Sequence, residues 1–283
     1  MNNRIIGVIG AGQMGSGIAA VFALNGFKVQ LVDAVSEAVS DAKKNIFNQL
    51  QTLLDKNSYT DVVSEIVSRI SFQDRLSAIK DSELIIEAIP EDLDLKISLY
   101  RSLNSILNPA TIVATNTSSF PIFELANGIL NKEKFIGLHF MNPVLKMSLI
   151  EIVPSIYTSE QTVGQVQIIL GRLKDKQRII SADEPGFVVN RLLIPVINQA
   201  FIVLGDKIAT REDIDIAMEK GANFPMGPLK LADLIGLDTC LAIMESLDNA
   251  FPNKGYLPAP LLKDYVLQGK LGRKSKGGVY KYE

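Results

Sequence analysis

Cysteine and histidine are almost absent from this sequence of 283 residues, which contains one of each. The single cysteine, Cys240, excludes a disulfide framework and a cysteine-rich metal centre. The single histidine, His139, excludes every site that requires two imidazoles. We therefore expect no metal site, and any reaction that needs a histidine base must use His139.

An excess of charge of one sign is also lacking, because 29 lysine and arginine residues oppose 31 aspartate and glutamate residues. The net charge of -2 provides no basic field for nucleic acid. There is no run of about 20 apolar residues for a membrane span, and the start of the chain has no secretory signal pattern. We expect a cytoplasmic protein that binds neither nucleic acid nor membrane.

Strand and helix patterns alternate along the first two thirds of the sequence. Short apolar runs predict strands over 5–9, 28–32, 84–88, 111–115, 135–139 and 149–153. Apolar spacing predicts a helix over 18–24, a helix pair over 36–70 broken at Asn57-Ser58, and a helix over 93–107. This alternation predicts an α/β fold with a Rossmann-like doubly wound sheet and the helix pair as an insertion.

The pattern becomes all-helical near Pro185, where we place a domain boundary. Helices are predicted over 187–204, 211–220, 229–247 and 260–268. The sequence thus predicts an α/β domain over 1–184 and an all-helical C-terminal domain over 185–283.

A glycine-rich turn, G-A-G-Q-M-G, follows the first predicted strand and matches G-x-G-x-x-G. Gly10 permits the tight turn, Gly12 lets the backbone approach a pyrophosphate, and Gly15 lets the helix pack closely on the strand. Gln13 and Met14 lie in the same turn. A strand before the turn and a helix after it favour a dinucleotide site over a turn that binds no ligand.

Asp33 closes the second predicted strand and indicates which dinucleotide binds. Its carboxylate can accept both ribose hydroxyls and would repel a 2′-phosphate, and no basic residue follows over 34–36. NAD is therefore favoured over NADP. The alternative role for Asp33 is a helix N-cap, which Ser36 can also fill.

His139 ends a predicted strand at the carboxyl edge of the sheet, where open α/β sheets bind ligands. Glu151 lies between two isoleucines in the next strand, and a buried carboxylate there requires a partner. We predict that Glu151 orients the ring of His139, whose other nitrogen accepts a hydroxyl proton as hydride leaves for the cofactor. The alternative is that His139 is only a hydrogen-bonded core residue.

The hydroxyl-rich segment T-N-T-S-S over 115–119 follows a strand at the same edge. Its side chains can donate hydrogen bonds to an alkoxide or carbonyl. It can also serve as the N-cap of the helix that contains Pro121.

Eight blocks in order carry a resemblance over nearly the whole chain. They are G-A-G-Q-M-G-S-G-I-A, E-A-I-P-E-D-L-D-L-K, A-T-N-T-S-S, G-L-H-F-M-N-P, I-E-I-V, E-P-G-F-V-V-N-R-L-L, P-M-G-P-L and L-G-R-K-S. They resemble the L-3-hydroxyacyl-CoA dehydrogenases, most closely the short bacterial 3-hydroxybutyryl-CoA type. The resemblance implies an NAD-dependent enzyme of fatty acid metabolism with an NAD-binding domain (1–184) and a helical substrate and dimerisation domain (185–283) that forms a homodimer.

The resemblance also implies roles for single residues. His139 is the general base and Glu151 is its partner. Ser118, Asn142 and Asn190 line the substrate hydroxyl and the nicotinamide. The further NAD contacts are Glu91, Lys96, Asn116 and Lys274, and Lys56 lies near the CoA nucleotide. For Lys96 and Lys274 the alternative is ordinary surface charge.

The sequence departs from the family pattern in ways that leave the acyl carrier open. The turn between the paired helices, usually rich in lysine and glycine, retains only Lys56, next to Asp55. Lys276 stands where glycine is usual. The substrate is therefore a short-chain hydroxyacyl thioester of CoA or, alternatively, of an acyl carrier protein, as in glyceryl-type polyketide extender-unit synthesis. A third hypothesis is a non-catalytic NAD-binding structural protein.

Overall fold

The protein, represented by a computed structural model, is described over residues 4–54 and 60–283. Eight strands in this part of the chain form one sheet: β1 (Ile5–Ile9), β2 (Lys28–Val32), β3 (Ile70–Gln73), β4 (Leu84–Glu87), β5 (Ile112–Thr115), β6 (Phe135–Phe140), β7 (Leu149–Pro154) and β8 (Gln177–Ile180). The helices before residue 185 are α1 (Gln13–Leu24), α2 (Ser36–Leu53), α3 (Thr60–Ser68), α4 (Leu93–Leu103), α5 (Ile122–Leu125) and α6 (Glu160–Leu170). The later ones are α7 (Val189–Gly205), α8 (Arg211–Ile216), α9 (Pro228–Ile235), α10 (Leu237–Ala250) and α11 (Pro260–Leu267).

The sheet has the strand order β3-β2-β1-β4-β5-β6-β7-β8. The first six strands in this order are parallel, β7 is antiparallel to β6, and β8 is parallel to β7. Because β1, β2, β4, β5 and β6 are parallel, their carboxyl ends share one edge. Every residue of β4, β5 and β6 is buried, as expected for strands covered on both faces. The sheet confirms the predicted Rossmann-like α/β class.

The chain divides into two compact units, one ending at Glu184 and the other spanning Pro185–Glu283. The first has a core between the sheet and the apolar sides of α1, α2, α3 and α6. The second is helical, and its core is built from α7, α9, α10 and α11. Over the described residues, no helix combines the length and the apolar character needed to cross a membrane.

The predicted helix pair over 36–70 is wrong at its C-terminal end. Ile70 does not continue a helix but begins β3, which pairs in parallel with β2. Isoleucine and phenylalanine favour strands, and pairing with a neighbouring strand overrides a helical apolar spacing. The break at Asn57-Ser58 lies outside the described residues.

Three predicted helices end or divide elsewhere. The helix predicted over 229–247 is two helices, because Gly236 between them has a φ of 108°, which is outside the helical region. The helix predicted over 211–220 is α-helical only to Ile216 and continues as a π-helix over 217–221. The helix predicted over 93–107 ends at Leu103.

Candidate active site

The glycine-rich turn joins β1 to α1 at the carboxyl edge of the sheet. Gly10 has a φ of 102°, and a Cβ there would lie 2.5 Å from the carbonyl oxygen of Ala88. A Cβ on Gly15 would lie 1.8 Å from the carbonyl oxygen of Gly10, so the helix packs closely because this residue is glycine. No atom lies within 4 Å of a Cβ placed on Gly12, and no side chain caps α1. The first N–H groups of this helix therefore have no side-chain cap and lie beside open space at Gly12, where a pyrophosphate can bind. The turn fits a dinucleotide.

The carboxylate of Asp33 joins the end of β2 to this turn. Its Oδ2 accepts the N–H of Ala11 at 2.7 Å, and its Oδ1 accepts the N–H of Val35 at 2.9 Å. Helix α2 begins at Ser36 without a side-chain cap. The N-cap alternative for Asp33 and Ser36 is therefore wrong, and Asp33 lies beside the turn, where a dinucleotide ribose meets a carboxylate.

The antiparallel register of β6 and β7 places His139 directly opposite Glu151. The distance between Nδ1 of His139 and Oε2 of Glu151 is 2.7 Å. The carboxylate residue is fully buried and the histidine is 7% exposed, so the predicted pairing is present. A proton on Nδ1 is donated to the carboxylate, which leaves Nε2 as the ring nitrogen that accepts a proton.

A buried ionic network connects the ends of β4 and β5. The carboxylate of Glu87 accepts hydrogen bonds from Lys96 Nζ at 2.6 Å, the Tyr100 hydroxyl at 2.5 Å and Thr115 Oγ1 at 2.8 Å. Lys96 is only 1% exposed and lies 3.2 Å from Glu91, so it is not an ordinary surface charge. Burial, assisted by the charge of Glu87, raises the pKa of Tyr100 well above its usual value.

The carboxylate of Glu91 accepts several hydrogen bonds from the hydroxyl-rich segment over 115–119. It accepts hydrogen bonds from the N–H of Ser118 at 3.1 Å, from Oγ of Ser119 at 2.7 Å and from Oγ1 of Thr117. Burial alone would raise the pKa of Glu91, but the charge of Lys96 and these hydroxyl hydrogen bonds outweigh it and lower the pKa. The segment is thus ordered by a carboxylate at the carboxyl edge.

The N-cap alternative for residues 115–119 is wrong. The N–H groups of Ile122 and Phe123 at the start of α5 donate to the carboxylate of Asp183 at 2.7 and 2.8 Å. Burial raises the pKa of Asp183. Sequence reasoning missed this residue because it lies about 60 positions from the helix it caps, and no local pattern connects the two.

Two predicted asparagines lie near the end of β6. Oδ1 of Asn116 accepts the N–H of Phe140, the neighbour of His139, at 2.9 Å. The N–H of Asn116 in turn donates to the carbonyl oxygen of Glu87 at 2.8 Å. Asn142 is exposed just beyond β6. The network around Glu87 is therefore connected through Asn116 to the strand that carries the histidine.

The remaining predicted site residues lie in α1, in the second unit or outside the described residues. Gln13 and Met14 begin α1. Asn190 is the second residue of α7 and is partly exposed. Nζ of Lys274 lies 2.6 Å from the carboxylate of Asp238. Lys56 lies outside the described residues.

Two family profiles together match almost the whole chain. The profile for the 3-hydroxyacyl-CoA dehydrogenase NAD-binding domain matches residues 5–184, and the profile for the C-terminal domain of the same family matches residues 186–282. The chain belongs to the 3-hydroxyacyl-CoA dehydrogenase family. It is accordingly an NAD-dependent oxidoreductase, as predicted.

Full-length relatives support this assignment of the dehydrogenase. A probable 3-hydroxybutyryl-CoA dehydrogenase from Bacillus subtilis is 43% identical, and the match covers 100% of this chain and 99% of the relative. The 3-hydroxybutyryl-CoA dehydrogenase of Bradyrhizobium diazoefficiens is 42% identical, with 98% and 94% covered. The crystal structure of (S)-3-hydroxybutyryl-CoA dehydrogenase PaaH1 from Ralstonia eutropha matches with a TM-score of 0.95 at 40% identity and covers 100% of both chains.

Proposed function

We propose that this dehydrogenase interconverts a short-chain L-3-hydroxyacyl-CoA and the corresponding 3-oxoacyl-CoA, with His139 as the general base. The observation that carries the proposal is the buried contact of 2.7 Å between His139 and Glu151. It lies on the sheet whose carboxyl edge also holds the dinucleotide turn. The names of the full-length relatives, which are 3-hydroxybutyryl-CoA dehydrogenases, support the short acyl chain and CoA as its carrier.

The pair moves one proton at Nε2. Glu151 accepts the hydrogen bond from Nδ1, fixes the ring and stabilises the imidazolium that forms. Nε2 takes the proton of the substrate 3-hydroxyl group during oxidation and returns it during reduction. When bound, NAD accepts the hydride that leaves C3 of the hydroxyacyl group.

The remaining residues bind and orient in this proposal. Ser118, Asn142 and Asn190 contact the substrate hydroxyl and the nicotinamide side. Glu91, Lys96, Asn116 and Lys274 contribute to NAD binding together with the glycine turn and Asp33, and Lys56 contributes to CoA binding. The enzyme acts as a cytoplasmic homodimer formed through its helical unit.

The test replaces the base and follows NADH absorbance with acetoacetyl-CoA. His139→Ala is expected to lower kcat by about 10²–10⁴-fold, the usual worth of a general base. NADH binding, measured through the fluorescence of the nicotinamide, is expected to remain within about twofold because the glycine turn is untouched. An unchanged kcat in this variant would contradict the role of His139 as the general base.

The carrier is tested separately with matched 3-oxoacyl thioesters on CoA and on an acyl carrier protein. A higher kcat/KM on the CoA ester supports the proposal. A higher kcat/KM on the carrier protein identifies the alternative substrate class. NADPH in place of NADH is expected to react poorly, because Asp33 repels a 2′-phosphate.

A further inference from the structure

Lys176 is a buried lysine that the proposed reaction does not use. It precedes β8 and is 7% exposed. Its Nζ donates hydrogen bonds to the carbonyl oxygens of Val144 at 2.6 Å and Met147 at 2.5 Å. Burial lowers the pKa of Lys176 from its usual value. Burying an ammonium group is costly, so we ask what the burial of Lys176 against these two carbonyl groups contributes to the protein.

Both carbonyls belong to the segment 141–148 that joins β6 to β7, which we name the catalytic turn. Within it, the N–H groups of Lys146 and Met147 donate to the carbonyl oxygen of Pro143, each at 3.0 Å. Carbonyl groups at the end of such a helical turn lack partners along the chain and carry partial negative charge. The ammonium group of Lys176 supplies the donors and the charge that they need.

The catalytic turn connects two parts of the candidate site. Val144 is 4% exposed, and a Cβ placed on Gly17 would lie 2.8 Å from the Cβ of Val144. The turn therefore packs directly on α1, the helix that begins at the glycine turn. Its two ends lead into the strands of His139 and Glu151.

We propose that Lys176 is a positioning residue, which holds the catalytic turn on α1 and so sets the separation between the His139–Glu151 pair and the dinucleotide turn. It touches neither substrate nor cofactor in this role. Asn142 lies in the same turn, so its position depends on the same two hydrogen bonds. The inference rests on the proposed function, because the separation matters only if His139 exchanges a proton during hydride transfer.

The test compares Lys176→Met with Lys174→Met. Methionine keeps much of the length of lysine and removes the ammonium group. Lys174 is exposed on the same loop, so its replacement removes the same charge without touching the catalytic turn. Lys176→Gln is made in parallel, since its amide can donate to one of the two carbonyls and it keeps the comparison usable if the methionine variant does not fold.

The first readout is independent of activity. Because the chain has one histidine, histidine labelled with ¹⁵N gives the signals of a single imidazole by NMR. Lys176→Met is expected to shift these signals and to broaden them, whereas Lys174→Met leaves them at the parent positions. Unshifted signals in a folded Lys176→Met variant would overturn the proposal.

The second readout separates kcat from binding. Lys176→Met is expected to lower kcat by about 10-fold or more, because misplacing reacting groups by about 1 Å costs up to about 100-fold. The NADH dissociation constant is expected to change much less than kcat, because the glycine turn and Asp33 are unchanged and only Asn142, on the nicotinamide side, moves with the catalytic turn. Lys176→Gln is expected to fall between Lys176→Met and the parent. Equal kcat values for Lys176→Met and Lys174→Met would overturn the inference, as would a loss of NADH binding in proportion to kcat.

Failure of the parent to oxidise any hydroxyacyl thioester would instead contradict the proposed function, and the NMR comparison would still test the position of the imidazole.

Discussion

In the proposed mechanism, Glu151 acts through the hydrogen bond that it accepts from Nδ1 of His139. Glu151→Gln keeps the shape of the side chain and an oxygen that can accept the Nδ1 proton, but it removes the negative charge that stabilises the imidazolium. We expect kcat to fall by about 10²–10⁴-fold, measured by NADH absorbance at saturating substrate. Glu160→Gln, an exposed position at the start of α6, is the matched control and should retain the parent rate. Parent-like activity in Glu151→Gln would show that the charge is not needed.

Lys276 occupies a backbone conformation that suits glycine. Its φ of 58° lies in the left-handed region, which costs residues with a Cβ roughly 1–2 kcal/mol. Lys276→Gly is expected to raise the free energy of unfolding by about 0.5–1 kcal/mol, after allowing for the greater entropy of glycine in the unfolded chain. Chemical denaturation measures the change. The control is Lys281→Gly, because Lys281 does not have a positive φ. This variant should not be more stable than the parent, and an equal increase in the free energy of unfolding at both positions would contradict the explanation.

At the scale of elements, a side-chain cap begins α4, the helix that contributes two residues to the buried network at the ends of β4 and β5. Oδ1 of Asp92 accepts the N–H of Leu95 at 2.9 Å and caps the helix that carries Lys96 and Tyr100. Asp92→Ala is expected to lower the free energy of unfolding by about 1 kcal/mol, and Asp92→Asn by much less, because asparagine also caps helices. Urea denaturation of the two variants provides the measurement. Equal stability of the alanine and asparagine variants would show that the cap contributes little.

Elements with clear boundaries could be predicted from the sequence, and elements that depend on distant partners could not. The predicted bounds of β1 and β2 agree with the structure, because a glycine turn and an aspartate mark their ends. The helical pattern over 36–70 includes the first residue of β3 and the sequence predicts no element for the other three, because the strand character of β3 comes from its pairing with β2. The sequence patterns predict neither strand β8 nor helix α6. Gly236 falls inside the helix predicted over 229–247, although its conformation divides α9 from α10.

The same distinction between local sequence patterns and contacts with distant residues applies to the candidate site. His139 and Glu151 could be paired from the sequence because two adjacent apolar strands present them at one sheet edge. Glu87 and Lys176 could not be identified in this way. Glu87 lies inside the strand predicted over 84–88, and its contact with Thr115 spans 28 positions. Lys176 bonds to main-chain carbonyls about 30 positions away, and the sequence contains no pattern for such contacts.

At the scale of the whole molecule, Glu91 is expected to shape acid stability. Its pKa is lowered in the folded state from the ordinary value of 4.5. Its contribution to folding is therefore present above pH 4.5 and is lost as the pH falls through the lower folded-state value. Glu91→Gln should be less stable than the parent at neutral pH, and the difference should close in acid. Thermal unfolding of both proteins from pH 7 to pH 3 measures this, and a difference that is constant with pH would contradict it.

The register between β6 and β7 also limits how this protein can change in evolution. Side chains alternate between the two faces of a strand, so a slip of one residue would carry Glu151 to the opposite face and bring isoleucine against His139. Strand β7 lies between β6 and β8 and has no free edge at which a slip can be absorbed. A slip of two residues would keep Glu151 on the same face but would bring Val153 or Leu149 opposite His139, so side chains along β7 can be exchanged in evolution whereas the spacing between these two strand positions has to be kept.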